Sequence, residues 1–174
     1  MRRAALAAAA LLVLSACRRA PSSAVRELDA ILASHDDNDP RLDSDFNSLT
    51  DAAKTALRIK YRETPPEHRN ERGTIVYILG KNLKGSADWA FLRDMASEPP
   101  CLSLADCRRA ATEAGPGDDV TLAYPSLVAL KQAQRALQSK DSPEARAVVA
   151  AGKLSKMPAV TRLAARIEAK PPKK

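Results

Sequence analysis

Apolar residues recur every three or four positions through most of this chain, and no segment alternates apolar and polar residues over the length of a strand. The spacing is clear near both ends of the chain, in Val25, Leu28, Ile31 and Leu32 and in Val160, Leu163, Ala164 and Ile167. Of the 174 residues, 33 are Ala and only six are aromatic. Because Ala favours helices and lets them approach closely, the sequence predicts an all-α fold of about six to seven helices, either a short irregular solenoid or a small helical bundle.

Prolines and polar turns separate the predicted helices. Ser142-Pro143-Glu144 is the clearest helix start, because a hydroxyl cap, a proline in the first turn and an acidic residue all favour a helix N-terminus. Pro125 predicts a break within the fifth helical region. We predict a single helical domain over 24–170, with an insertion over 98–118 that contains two cysteines and a short helix over 103–111. The other predicted segments are helices over 24–34, 51–62, 67–79, 87–97, 118–137 and 158–170, and a brief turn over 43–48.

Residues 1–17 have the composition of an export signal. Met1-Arg2-Arg3 is cationic, and the eleven apolar residues that follow suit a signal-peptide core but are too few for a bilayer span of about 20 residues. Leu14-Ser15-Ala16-Cys17 comes next, and it resembles the lipobox of bacterial lipoproteins, which is an aliphatic residue, two small residues and a cysteine. The resemblance implies that Cys17 receives a diacylglyceryl group and becomes the mature N-terminus.

The lipobox divides the N-terminal part of the chain into two segments. Residues 1–16 are predicted to be a signal peptide that is removed, and residues 17–23 a lipidated tether. More than one acyl chain holds a protein stably on a membrane. The residue after the cysteine is Arg18 rather than Asp, and by the same resemblance this predicts an outer-membrane lipoprotein that faces the periplasm. The alternative is an ordinary secretory signal with a chance cysteine.

Basic residues are concentrated at the C-terminal end of the chain. Residues 18–141 contain 18 basic and 19 acidic side chains, whereas residues 142–174 contain eight basic and two acidic ones. This pattern is typical of a solvated helix face followed by a basic tail over 171–174, and it also suits attraction to anionic lipid or cell-wall polymer. Nucleic acid is not an expected partner for two reasons. An export signal separates the protein from the nucleic acid of the cell, and no aromatic residues interleave with the basic ones.

Cys101 and Cys107 remain once Cys17 is assigned to lipid. A spacing of six residues and an oxidising compartment favour a local disulfide over two free thiols. A metal site is not expected at these cysteines, because the nearest histidine along the chain is the distant His68 and no second cysteine pair completes a set of four ligands.

Two helix junctions in the chain look alike. Residues 78–92 and 135–149 each end an apolar helix at Leu, cross a short polar turn and restart behind Ser with another apolar helix. This pattern resembles the junction between units of HEAT-type helical repeats. Leu79 and Leu137 lie 58 residues apart, more than the roughly 40–47 residues of a HEAT unit, and the insertion over 98–118 would account for the excess. The alternative is a non-repeating bundle.

Residues that carry catalytic or metal chemistry are sparse. In the acidic stretch 36–45, an EF-hand loop that started at Asp37 would need Gly and Glu where the chain has Leu42 and Ser48, so we expect a solvated turn. His68 lies in a charged stretch typical of a helix face. The chain has no zinc-protease, nucleophile-elbow or Walker motif. We therefore predict no catalytic residue, no metal site and no cofactor.

The lack of a catalytic or metal-binding motif and the repeat pattern together favour a non-enzymatic adaptor. Such a protein would bind another envelope protein along a helix-lined surface. Tyr77, Trp89 and Tyr124 are the predicted contact residues, because aromatic side chains concentrate binding energy. One alternative is a small envelope hydrolase or ligand-binding lipoprotein that uses His68 or His35. A further alternative is a binder of anionic lipid or cell-wall polymer through the basic C-terminal helix. The sequence predicts no particular oligomeric state.

Overall fold

The computed structural model of the protein describes residues 22–34, 36, 38–110 and 118–169, and within these ranges it contains helices and no strands. The helices are α1 (Ser23–Ser34), α2 (Arg41–Ser44), α3 (Asp51–Glu63), α4 (Arg69–Lys81), α5 (Ser86–Ala96), α6 (Asp118–Leu122), α7 (Tyr124–Ser139), α8 (Pro143–Lys153) and α9 (Pro158–Glu168). The predicted all-α fold is confirmed. The described part has nine helices rather than six to seven, because α2 and α6 are short additional ones. Cys17 and the predicted signal peptide lie outside the described residues.

Local capping and proline chemistry account for several helix boundaries. The side chain of Thr50 accepts a hydrogen bond from the backbone N–H of Ala53 at 3.2 Å, and Ser142 caps α8 in the same way. The predicted break at Pro125 is confirmed, since α6 ends at Leu122 and the proline lies in the first turn of α7. A proline is tolerated there because the first N–H groups of a helix have no partner within the helix.

The helices pack as two stacked pairs with further helices against them. Helix α4 packs on α7 and α5 packs on α8, while α9 lies against α7 and α8. On the other side of α4, helix α3 packs against α1 and α4. The apolar stripes predicted from the sequence are buried in one continuous core, which includes Leu28, Leu57, Ile75, Leu130 and Val160.

Two glycines bring α4 and α7 into close contact. Gly73 and Gly80 are two helical turns apart, so they lie on the same side of α4. A Cβ atom at Gly73 would lie 2.2 Å from Cδ1 of Tyr124, and one at Gly80 would lie 2.3 Å from Cγ of Gln132. Gly80 was predicted to follow the end of this helix, but α4 continues to Lys81. The residue is therefore a packing glycine within the helix.

We expect Gly80→Ala to lower the free energy of unfolding. Overpacking a tight core position costs about 1–3 kcal/mol, which outweighs the gain of about 1 kcal/mol that Ala brings within a helix. The control is Gly85→Ala, since a Cβ at Gly85 meets nothing within 4 Å. Urea unfolding followed by circular dichroism compares the two variants. Equal stability of both would contradict the close packing of α4 on α7.

The segment between α5 and α6 is irregular where the structure describes it. Cys101 and Cys107 form a disulfide, as the sequence predicts. The short helix predicted over 103–111 is wrong for residues 103–110, which form bends and turns instead. The six-residue separation of the cysteines closes a tight loop, and such a loop leaves little room for a helical turn. We call residues 97–110 the disulfide loop.

No helix in the described ranges is both long and apolar enough to span a membrane.

Candidate functional site

The exposed side of α4 forms the floor of a groove. Three adjoining cavities of about 190, 270 and 280 Å³ follow this helix. Asn70 and Glu71 line two of them, and so does Thr74, one turn further along. Because residues three or four positions apart share one side of a helix, the three cavities run in one direction. From His68 to Tyr77 the floor is about 14 Å long at 1.5 Å per residue. We call this feature the α4 groove.

Two walls flank the floor. One wall consists of the C-terminal part of α1 and the acidic turn that follows it, and its lining residues are Ile31, Leu32, Asp36, Asn38, Asp39, Leu42 and Asp43. The other wall comes from the disulfide loop, α6 and the start of α7, and its lining residues are Leu104, Thr121 and Tyr124. The groove therefore depends on segments that are distant in the sequence and meet only in the folded chain.

Two of the three predicted contact residues lie together in this groove. Tyr77 and Tyr124 line the same cavity, the one of about 270 Å³, which we call the tyrosine cavity. Tyr124 keeps 37% of its surface exposed, and its ring packs over Gly73. Trp89 lies elsewhere, on α5, where it is half-buried and packs against the core. Trp89 is not among the lining residues of the three cavities.

The side chain of Tyr77 is held in a fixed position. Its hydroxyl donates a hydrogen bond to Oδ1 of Asp43 at 2.5 Å, and Nζ of Lys81 lies 3.0 Å from the same oxygen. The hydrogen bond from Tyr77 and the ammonium group of Lys81 hold the pKa of Asp43 below its ordinary value of 3.8. The same hydrogen bond raises the pKa of the Tyr77 phenol. At neutral pH the tyrosine is therefore a neutral donor to a charged carboxylate.

The acidic wall is fixed to the rest of the fold. The guanidinium of Arg41 forms ion pairs with Asp39 at 2.6 Å and with Glu27 of α1 at 2.7 Å. This guanidinium hydrogen-bonds to Asp39 and holds the pKa of that carboxyl below its ordinary value. Next to this wall, the buried side chain of Asn82 donates to the carbonyl oxygen of Phe46 at 2.6 Å and so ties the chain after α2 to the end of α4. These contacts make the wall rigid.

Carboxylates dominate the electrostatics of the groove. Asp39 and Asp43 are matched by neighbouring cations, as described above. Glu67 instead accepts the backbone N–H of Cys107 at 2.9 Å, and this hydrogen bond lowers the pKa of its carboxyl. The carboxylate of Asp36 accepts the backbone N–H of Asn38, and no Lys or Arg of the described ranges lies within 4 Å of it. Among the described residues, Glu71 pairs with the half-exposed imidazole of His68 and with no Lys or Arg, so the groove is negative at neutral pH.

His68 lies at one end of the groove. Its Nδ1 is 2.9 Å from Oε1 of Glu71, three residues further along the chain. Both residues line the cavity of about 190 Å³ together with Thr121. Half of the imidazole is exposed to solvent, so water screens this contact. The other histidine of the hydrolase hypothesis, His35, lies outside the described residues. The geometry places His68 and Glu71 at the polar rim of the groove.

Acidic residues of the turn make local hydrogen bonds and ion pairs. In the part of the chain that the structure describes, no group of three or more His, Cys, Asp or Glu side chains is arranged to hold a metal ion. Asp39 instead accepts the backbone N–H of Arg41 at 2.9 Å as well as its guanidinium.

Two buried carboxylates outside the groove were not predicted. Asp88 of α5 contacts Lys54 at 2.8 Å and also pairs with Arg58. It accepts the backbone N–H groups of Lys84 and Gly85 as well, and so caps the first turn of α5. Burial raises the pKa of Asp88, but these hydrogen bonds outweigh it and the net pKa is lowered.

The second buried carboxylate is Glu98, at the start of the disulfide loop. It pairs with Arg69 and with Arg72, both of α4, and accepts a hydrogen bond from the hydroxyl of Tyr61 at 2.7 Å. The guanidinium of Arg72 also lies over the ring of Tyr61, 4.0 Å from its centre. The sequence indicated a charged, solvated helix face for this stretch of α4, but Arg69 is buried. The sequence held one sign of a buried ion pair, which was Lys54. This residue lies on the same apolar side of α3 as Leu57, and its partner is Asp88.

We expect loss of the disulfide to loosen one wall of the groove. In the chain-entropy account, removing a bridge that closes so short a loop lowers the free energy of unfolding by about 2 kcal/mol. The variant combines Cys101→Ser with Cys107→Ser, and urea unfolding under oxidising conditions measures the change. Faster hydrogen exchange is expected at the amide of residue 107, which donates to Glu67. Unchanged stability and unchanged exchange would show that the contacts of Glu67 and Glu98 hold the loop without the disulfide.

Comparison with known proteins gave no match, whether to a protein-family model, to a curated protein or to a solved structure.

Proposed function

We propose that this chain is a lipid-anchored protein of the cell envelope, on the outer membrane and facing the periplasm, and that it acts as a non-enzymatic adaptor. Its partner would be another envelope protein that docks in the α4 groove. The observation that carries the proposal is the continuity of the groove, with Tyr77 and Tyr124 together at the end opposite His68.

The chemistry of the groove suits binding to a protein. Tyr124 offers a rigid, partly exposed ring, and such aromatic side chains often dominate interface energetics. Leu104 lines the same wall, and both it and Val120 of α6 are at least half exposed. Because ion pairs and glycine packing hold the walls in place, little ordering entropy is lost on binding.

The proposed anchor keeps the groove near a membrane. A lipid on Cys17 is separated from the start of α1, Ser23, by a tether that spans at most about 20 Å when fully extended. A partner that reaches the groove would therefore be membrane-associated or close to the membrane surface. The stacking of α4 on α7 and of α5 on α8 supports the proposed HEAT-like arrangement of two helix pairs.

The anchor is tested by metabolic labelling. We expect the chain made in a bacterium to incorporate radiolabelled palmitate and to fractionate with the membrane. Cys17→Ser is expected to abolish labelling, whereas the control with Cys101→Ser and Cys107→Ser keeps it. A wild-type chain that takes up no label would contradict the lipid anchor.

The docking face is tested by site-specific photo-crosslinking in intact cells. A photoreactive residue at position 124 is expected to form one specific crosslinked species. The same residue at position 166, on the exposed side of α9, is the control and is expected to form none. Gly73→Ala should reduce the yield at position 124, because a Cβ there occupies space that the aromatic ring at position 124 takes in the wild type and so displaces the photoreactive side chain. Equal yields at positions 124 and 166 would contradict docking in the groove.

A second candidate function is attraction of the cationic end to anionic lipid or cell-wall polymer. The supporting observation is Leu154, which is 83% exposed between α8 and α9 and is flanked by Lys153 and Lys156. Arg162 and Arg166 are exposed on α9. An apolar side chain beside several cations is typical of a protein that rests on an anionic membrane surface.

This candidate is tested by vesicle co-sedimentation rather than by deletion, because deleting α9 would remove buried core residues such as Val160. The variant replaces Lys156, Arg162 and Arg166 with Gln. Each basic residue near the surface contributes about 1 kcal/mol, so the preference for anionic over neutral vesicles is expected to fall about 100-fold. An unchanged preference would rule this candidate out.

A further inference from the structure

We infer that the segment held by the α4 groove is an extended, cationic stretch of polypeptide that places a Lys or Arg side chain in the cavity between Asp36 and Glu71. This inference deepens the proposed docking function and rests on it. The carrying observation is the composition of that cavity, which measures about 280 Å³ and combines a buried apolar base with carboxylates. We call it the Asp36 cavity.

The apolar part of the Asp36 cavity lies at its base. Ile31 and Leu42 are buried side chains of the core, and Leu32 is half-buried beside them. Apolar surface of this kind suits the methylene stem of a long cationic side chain, which packs its carbon atoms on apolar groups while its charged end reaches polar surroundings.

The charged part of the Asp36 cavity comes from two different elements. Asp36 follows α1 and is exposed, and Glu71 belongs to the first turns of α4. Asp36 has no Lys or Arg of the described ranges within 4 Å, and Glu71 contacts only the half-exposed imidazole of His68. Two carboxylates that pair with no Lys or Arg in the described part of the chain therefore line one cavity and are complementary to an ammonium or guanidinium group.

The neighbouring tyrosine cavity accommodates the next part of the same segment. The two cavities share Leu42 and Thr74, so they are adjacent along the groove. In an extended chain, side chains on the same face are two residues, or roughly 6.5 Å, apart. The groove floor of about 14 Å then holds about four extended residues. An anionic segment would meet repulsion from the carboxylates on this wall.

The test measures binding of defined peptides to the full chain in detergent micelles by fluorescence anisotropy. The probe is a labelled heptapeptide, Gly-Ala-Lys-Ala-Lys-Ala-Gly, and the comparison peptides carry Gln or Glu in place of both Lys residues. We expect the Lys peptide to bind at least about tenfold more tightly than the Gln peptide, and the Glu peptide not to bind. Affinity for the Lys peptide should fall as salt is raised, because screening weakens exposed charge pairs.

The decisive variant combines Asp36→Asn with Glu71→Gln, which removes two charges and leaves side-chain volume unchanged. Affinity for the Lys peptide is expected to fall about fivefold to tenfold, as two exposed charge pairs are lost. The matched control combines Asp94→Asn with Glu168→Gln, two exposed acidic residues outside the groove lining, and should bind as wild type does. Circular dichroism confirms that both variants are folded.

Three results would overturn the inference. The Gln peptide could bind as tightly as the Lys peptide, or the control variant could lose as much affinity as the groove variant. The full chain could also self-associate in sedimentation velocity, with the groove variant abolishing the association, which would assign the groove to a second copy. Either of the first two results could occur together with a specific crosslink at position 124. The proposal that a protein docks in the groove would then stand, and only the inference that the docked segment is cationic would fail.

Discussion

Glu98→Gln is expected to lower the free energy of unfolding by about 3–5 kcal/mol, the range observed when one partner of a buried ion pair is removed. The carboxylate of Glu98 is paired with Arg69 and Arg72 and accepts the hydroxyl of Tyr61. Gln has nearly the same volume, so the loss comes from charge and not from a cavity. Arg69 is only 2% exposed, and its guanidinium would be left in the interior without a counter-ion.

Urea unfolding at neutral pH measures this loss, and Asp94→Asn is the control. Asp94 is an exposed carboxylate near the end of α5, the helix that precedes Glu98, and its contact with Arg93 is at 4.0 Å, so its replacement should change stability by no more than about 0.5 kcal/mol. A loss below about 1 kcal/mol for Glu98→Gln would mean that water reaches the two guanidinium groups in the folded state.

A double-mutant cycle identifies the source of the loss. Arg69→Met replaces the most buried guanidinium by an apolar side chain. If the orphaned charge dominates, the combination with Glu98→Gln should cost less than the sum of the two single changes, with a coupling of about 1–3 kcal/mol. Additive losses would show that the two residues stabilise the fold independently.

Asp88→Asn is the second change with a large expected effect, also about 3–5 kcal/mol. Asp88 is 5% exposed and Lys54 is 3% exposed, so the variant leaves a buried ammonium without its main partner. The pKa of Lys54 is raised chiefly by its hydrogen bond to Asp88. Asn also has one fewer accepting oxygen than the carboxylate, which binds Lys54, Arg58 and the first turn of α5.

The pH dependence of stability shows whether Asp88 stabilises the fold through its charge, because only a charged group loses its effect when it is protonated. Its pKa in the folded protein lies below the ordinary value of 3.8, so the unfolded chain takes up this proton first as the pH falls. The stabilisation is therefore complete above about pH 5, begins to fall as the pH approaches the unfolded value of 3.8, and is lost as the pH falls through the lower pKa of the folded protein. We expect Asp88→Asn to lose less stability than wild type between pH 5 and pH 3. Parallel pH profiles would contradict a lowered pKa at this carboxyl.

Local patterns predicted much of the fold. The spacing of apolar residues located all the long helices, and Ser142-Pro143-Glu144 correctly marked the start of α8. Pro125 correctly marked the break before α7. These features are local, since a cap or a proline acts on groups within four residues of itself. The predicted helix over 103–111 failed because a local disulfide constrains that stretch.

The candidate site was predicted only in part. Tyr77 and Tyr124 were singled out as aromatic contact residues, and the fold places both in one cavity. Trp89 was chosen by the same argument, but it lies on α5 and lines none of the three cavities. Residue type shows that a side chain can bind a partner, whereas its position relative to the other helices decides whether it lies in the groove.

From the sequence alone follow the helical class, several helix boundaries and the disulfide between the two cysteines, because each depends on residues that are near one another in the chain. The tertiary structure alone decides which charges are buried and where a groove opens. Lys54 and Asp88 are 34 residues apart, and Asp36 and Glu71, which are distant in the sequence, line one cavity only in the folded chain. Burial and electrostatic complementarity depend on distances in space, and no local spacing of residues encodes those distances.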